Sequence, residues 1–267
     1  MSTERGSLGL DRARALVHPA ALEGAQTHHA GYLDLLGVGG GPASTGAIQD
    51  FMLSGFVPRI YERWWRPALG RAMKGVFGPG MADEHLIAQR LLALSEGDAA
   101  LDVACGTGNF TRGFARTVGP GGMALGIDVS ETMLTKAVAD TSAAGLGAQT
   151  AYVRGDAQEL PLVEGVFDGV CCFAALHLFA DPLRALDRMT EVLAPGGRIA
   201  ILTSARGRSA PLRAWESIAT ARSGAHLFER GEVSRELERR GFTDVRRRFA
   251  GVTQFVGGVL AKPADRS

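Results

Sequence analysis

From Asp98 onward, short apolar runs alternate with stretches in which apolar positions recur every three or four residues. Strands buried on both faces read as near-continuous apolar runs, whereas amphipathic helices repeat at the helical period. The runs at 99–104, 123–128, 150–154, 167–173 and 198–203 therefore predict strands, and 109–117, 130–144, 181–192 and 232–240 predict helices. Two further apolar runs, 245–252 and 254–261, are joined tightly enough to form an antiparallel hairpin at a sheet edge. This alternation predicts an α/β fold built from βαβ units around a mainly parallel, doubly wound sheet.

Upstream the pattern changes. Residues 1–46 hold a short helical repeat at 10–17, the polar stretch Gln26-Thr27-His28-His29 and a breaker-rich run at 37–46, which together predict a poorly ordered extension and linker. Residues 47–97 turn helical: Ile48, Phe51, Met52 and Phe56 recur at helical steps, and Pro58 opens a second segment through Tyr61, Trp64, Trp65, Leu69 and Met73. A third helix is expected at 83–94, with Leu86, Ile87, Leu91 and Leu94 inward. This zone reads as a helical cap on a domain spanning 98–267. Tyr61, Trp64 and Trp65 share one helix face, with Arg59, Arg63 and Arg66 around it. Packing combined with a lid over an apolar substrate, with Tyr61 as the substrate contact, ranks ahead of a shallow membrane contact.

Composition narrows the partners. With 29 basic and 28 acidic residues the chain has no global field to recruit nucleic acid or an anionic membrane. No apolar run approaches the roughly 20 residues of a membrane span, and Arg5, Arg12 and Arg14 precede no apolar leader, so a cytoplasmic location is expected. Cys105, Cys171 and Cys172 form an odd, sparse set that fits free thiols in a reducing compartment. His28 and His29 have no carboxylate or cysteine at ligand spacing, so they read as solvated linker and no metal is expected. Residues 198–248 carry 12 basic against 6 acidic residues, ending in Arg246-Arg247-Arg248. A strand of exposed arginines accounts for them, with no appended nucleic-acid module.

The strongest local signal is Leu101-Asp102-Val103-Ala104-Cys105-Gly106-Thr107-Gly108-Asn109-Phe110, a buried strand breaking into a glycine turn that opens a helix. Such a turn brings backbone close to a ligand above the strand ends, and suits nicotinamide, flavin, nucleotide or S-adenosylmethionine (SAM) binding. A dinucleotide fingerprint would place a third glycine where Thr111 stands, and a Walker loop would need a lysine that is missing between Gly106 and Lys136. What remains is an acid, Asp102, just before the turn, suited to a ligand with a cationic ammonium or sulfonium group. Asp128 closes the next strand, where a carboxylate accepts from both hydroxyls of a ribose, with the Thr111 hydroxyl nearby. Asp156 ends the third strand, where it can accept from an adenine amino group while the Ala157 N–H donates to the ring.

Taken together, Asp102 to Gly108, Gly126-Ile127-Asp128-Val129-Ser130 with Met133-Leu134, Gly155-Asp156-Ala157 with Leu160-Pro161, Phe167-Asp168 and Leu193 to Arg198 resemble class I SAM-dependent methyltransferases. The flavour is that of the type 11 group, which includes the ubiquinone/menaquinone C-methyltransferases. The resemblance implies a Rossmann-like seven-stranded sheet of order 3-2-1-4-5-7-6 with the last strand antiparallel. It also implies that Asp102, Gly106, Gly108 and Thr111 hold the methionine part of SAM and that Asp128 takes the ribose. Met133 would pack on adenine, Asp156 and Ala157 would read its edge, and Phe173 would line the floor. Hallmarks of the quinone enzymes are not clear in the N-terminal zone or after Thr203.

Methyl transfer from a sulfonium is an in-line displacement, so alignment dominates and a base is needed only where the acceptor must lose a proton. His177, following the fourth strand in Ala174-Ala175-Leu176-His177-Leu178, is the candidate base; a packed or capping histidine is the competing reading. Cys171 and Cys172 lie inside a predicted strand and read as core, not as a metalloid site. The expected function is methyl transfer from SAM to a small, partly apolar organic acceptor. A quinone or phospholipid methyltransferase at a membrane surface, or a non-catalytic SAM-binding protein, are the alternatives.

Overall fold

The computed structural model describes residues 2–37, 40, 78–207 and 225–262. In chain order the elements are α1 (Ser2–Leu16), α2 (Pro19–Leu22), β1 (Gln26–Thr27), β2 (Leu33–Asp34), α3 (Met81–Leu92), β3 (Ala99–Val103), α4 (Asn109–Val118), β4 (Met123–Asp128) and α5 (Glu131–Ala143). They continue with β5 (Thr150–Arg154), β6 (Phe167–Phe173), α6 (Pro182–Glu191), β7 (Leu193–Ser204), α7 (Glu232–Arg239), β8 (Phe242–Ala250) and β9 (Thr253–Leu260). Tyr61, Trp64 and Trp65, and residues 208–224 between β7 and α7, lie outside the described residues.

One nine-stranded sheet runs β1-β2-β5-β4-β3-β6-β7-β9-β8. Its seven-strand block from β5 to β8 has the order expected from the resemblance, with β9 antiparallel to β7. The strands were legible because they are apolar on both faces: helices lie above and below. Leu101, Val103, Leu125, Ile127 and Val153 join α1, α6 and α7 on one side, while Ala100, Ala124 and Cys171 join α3 and α4 on the other. The chain reverses direction across the sheet between β3 and β6, which opens a crevice at the strands' carboxyl ends.

Two strands exceed the expected count, and over residues 2–37 they correct the reading of a poorly ordered extension; 41–46 of the expected linker lie outside the described residues. β2 pairs in parallel with β5, Leu33 against Val153, and β1 pairs back on β2. The reason lies elsewhere in the chain. The crossover from β5 to β6 carries no helix, so one face of the sheet would be bare beneath it. Helix α1 covers that face with Ala13, and Val17 just after the helix bridges to Leu162 of the crossover. His28 is not a solvated linker residue either: its ring stacks on Tyr32 at 4.4 Å.

Helix α3 also differs. Gly80 N–H donates to Asp83, starting the helix at Met81, and left-handed Ala93 ends it at Leu92. The face it turns to the sheet carries Ala88 and Leu92, and Leu86, expected inward, is 50% exposed. The segment thus packs directly on the sheet, and 47–77 of the expected cap lie outside the described residues. No helix among the described residues is long and apolar enough to cross a membrane.

Candidate active site

The turn after β3 is built by backbone that side chains resist. Ala104 (φ 56°), Gly106 (φ 54°) and Gly108 (φ 72°) all take the left-handed conformation, which reverses the chain into α4 within a few residues. Gly108 is needed twice over. A Cβ there would sit 2.2 Å from the Tyr152 hydroxyl oxygen, because that ring reaches from β5 beneath the turn and hydrogen bonds Thr141 at 2.8 Å. Gly126, opposite Tyr152 in the β4–β5 register, makes room for the same ring. Gly106 is different: a Cβ built on it meets nothing within 4 Å, so the space above it is open.

The acids gather around this turn. Asp102 is buried, and the buried Thr111 hydroxyl donates to its Oδ2 at 2.6 Å, so helix α4 fixes the carboxylate of β3. Asp128 accepts the Gly106 N–H on Oδ2 at 2.8 Å and the Ser130 N–H on Oδ1 at 2.9 Å. It therefore joins the ends of β3 and β4, and its main-chain carbonyl accepts the Gly155 N–H, which brings in β5. Burial pushes its carboxyl above the ordinary value, partly offset by the N–H groups it accepts. Asp156 is half-buried and uses Oδ1 for the Gln158 N–H, beside buried Ala157. Met133 is buried in the first turn of α5, its N–H capped by Ser130 Oγ at 3.4 Å.

Hydrogen bonds thus join Gly106 to Asp128 and Thr111 to Asp102 around the turn that holds Gly108, and Asp156 and Ala157 follow the end of β5, the neighbour of β4 in the sheet. Phe173 stands apart from that description: its ring packs edge-on against Phe110 and Phe255 on the α3–α4 side of the sheet, so the side chain belongs to an aromatic core. His177 lies in a short 3-10 turn after β6, tied to β7 through Thr203 Oγ1 at 3.4 Å and to His226, whose N–H donates to its carbonyl. Tyr152, beneath the turn, is not legible in the sequence; the register of β4 against β5 reveals it.

Burial pushes the His177 imidazole from 6.5 down to about 4, so it is neutral at neutral pH. In the unfolded chain the ring protonates near its ordinary value, so stability present above pH 6.5 is lost as pH falls through about 4. His177→Gln is expected to remove about 2 kcal/mol of that acid-side loss, read from urea unfolding at neutral pH and near pH 4. An unchanged pH dependence would contradict the burial of the ring.

The pieces fit an adenosyl ligand: an open cradle over Gly106, a carboxylate spanning two strand ends where a ribose would lie, and a half-buried acid at the third. Residues 100–197 match the methyltransferase domain family Methyltransf_25. A demethylmenaquinone methyltransferase of Bacillus cytotoxicus is 37% identical over 117 residues, covering 44% of this chain and 49% of that protein. The chain spans about half the length of the relatives it matches. Among solved structures, a SAM-dependent methyltransferase from Aquifex aeolicus superposes with TM-score 0.54 at 21% identity, covering 67% of this chain and 90% of that one. The [4+2]-cyclase SpnF superposes with TM-score 0.63 at 15% identity, covering 83% and 98%. Residues 100–197 thus resemble a methyltransferase domain, with the motifs expected from the sequence in order around this crevice.

Proposed function

We propose that the chain uses SAM to methylate a small, partly apolar organic acceptor. The observation that carries this reading is the Gly106 N–H to Asp128 bond, which places the glycine turn and the acid of the next strand on one open crevice. When bound, SAM supplies an electrophilic methyl group. Asp128 would accept the ribose hydroxyls, Asp156 and the Ala157 N–H would read the adenine edge, and Met133 would pack on it. Asp102, steadied by Thr111, would face the methionine portion. His177, neutral and carried on the loop after β6, is our candidate to take a proton from the acceptor. A pKa near 4 makes it a weak base, so its task suits acceptors that are themselves acidic. The free thiols at Cys105, Cys171 and Cys172 support a reducing, cytoplasmic setting.

Calorimetry with SAM tests the cofactor, and a labelled-methyl screen of candidate small molecules tests the chemistry. Micromolar binding with methyl transfer to one compound class is the expected result. Binding without turnover across the screen would favour a SAM-binding protein that does not methylate. The demethylmenaquinone relatives support a second reading, a quinone acceptor reached at a membrane surface; cosedimentation with liposomes together with methylation of a quinone would favour it.

A further inference from the structure

Arg154, the last residue of β5, is 8% exposed and makes an unusual set of contacts. Its Nε donates to the Val129 carbonyl at 3.2 Å, in the loop between Asp128 and α5. One terminal nitrogen, Nη1, donates to the Asp34 carboxylate at 3.0 Å and the Gly37 carbonyl at 2.8 Å, and lies 3.3 Å from Glu131. The other, Nη2, donates to the Gly40 carbonyl at 2.9 Å. A guanidinium holds such divergent partners because its donors are fixed in a planar fork; an ammonium concentrates its charge at one point.

The partners fall into two groups that nothing local would bring together. Val129 and Glu131 flank the loop that begins with Asp128. Asp34, Gly37 and Gly40 belong to the N-terminal strand and the backbone following it, up to 120 residues away in sequence. Asp34 is itself 13% exposed and accepts the Leu36 and Gly37 N–H groups on Oδ1, so its carboxylate is held rigidly where Arg154 meets it. Leu35 N–H in turn donates to the Arg154 carbonyl, closing the joint through main chain as well.

We propose that Arg154 is a positioning residue, which locks the N-terminal strand to the Asp128–Glu131 loop so that docking of residues 33–37 and binding of the cofactor reinforce each other. Coupling between two sites is reciprocal: whatever the docked strand adds to cofactor affinity, the cofactor adds to docking. The inference rests on the SAM reading of the crevice, and wild-type calorimetry separates the two, because absence of SAM binding there would overturn both.

Arg154→Lys keeps the charge and loses the fork, and Asp34→Asn removes the ion pair at the sheet edge. Each is expected to weaken SAM binding about tenfold, with turnover at saturating SAM within twofold of wild type. SAM is expected to slow hydrogen exchange at the Leu35, Leu36 and Gly37 amides in wild type, and to lose that effect in both variants. Arg240→Lys supplies the structural control, since Arg240 pairs with Glu236 at the far edge of the sheet, both side chains largely buried. It should lower stability and leave SAM affinity unmoved. Wild-type affinity in both variants, or amides indifferent to SAM, would overturn the coupling; should Arg154→Lys fail to fold, Asp34→Asn alone decides by the same readouts.

Discussion

Replacing Asp128 with alanine is expected to weaken SAM binding at least a hundredfold. Two charge-assisted hydrogen bonds to ribose hydroxyls contribute about 1.5 kcal/mol each at the low end, and about 3 kcal/mol corresponds to a little more than a factor of a hundred. The substitution also releases the Gly106 and Ser130 N–H groups, so the turn and the start of α5 lose their common anchor. Asp128→Asn should fall between the two, because the amide oxygen can still accept one of those N–H groups. The carboxylate form is the one that accepts all of these donors. Because burial raises its pKa, SAM affinity should begin to fall on acidification at a higher pH than for an exposed aspartate. Calorimetry across a pH series measures both effects, and a change below threefold for the alanine variant would remove Asp128 from the ribose site.

The second large effect falls on the fold. Gly108→Ala is expected to cost about 3 kcal/mol of stability, from the left-handed backbone and from overpacking against Tyr152. Gly106→Ala shares only the first cause, since its Cβ would enter open space; about 1 kcal/mol is expected there. That Cβ nevertheless occupies the cradle, so Gly106→Ala should fold and bind SAM poorly, while Gly108→Ala should be impaired in folding itself. Urea unfolding of the two variants and of a Gly108→Ala/Tyr152→Leu pair resolves the causes. A coupling energy above about 1 kcal/mol in that cycle would mark the ring as the obstacle, and none would point to the backbone alone.

These two glycines illustrate how far the sequence could be read. Their place between an apolar strand and a helix was evident, and the strands at 123–128, 150–154 and 167–173 match the observed ones end to end because burial on both faces writes a near-continuous apolar run. β7 begins at Leu193, earlier than expected, since Ala194-Pro195-Gly196-Gly197 has the composition of a turn yet runs on in the strand past a register shift opposite β6. Three acids at three strand ends were legible for the same reason as the strands. Tyr152 under Gly108, Thr111 on Asp102 and Arg154 on Asp34 were not, because each depends on which residues face one another between elements. Strands of two residues, such as Leu33–Asp34, carry no periodicity at all; their partner, far along the chain, defines them.

That last pairing bears on how the protein is made. Helix α1 and strand β2 leave the ribosome well before the surface that receives them, β5 and the helix-free crossover after it. The beginning of the chain must therefore wait, exposed, until the middle has emerged. Its apolar residues, Ala13, Val17 and Leu33 among them, would be the natural targets of a chaperone during that interval. Refolding should likewise end with a slow, non-local docking step.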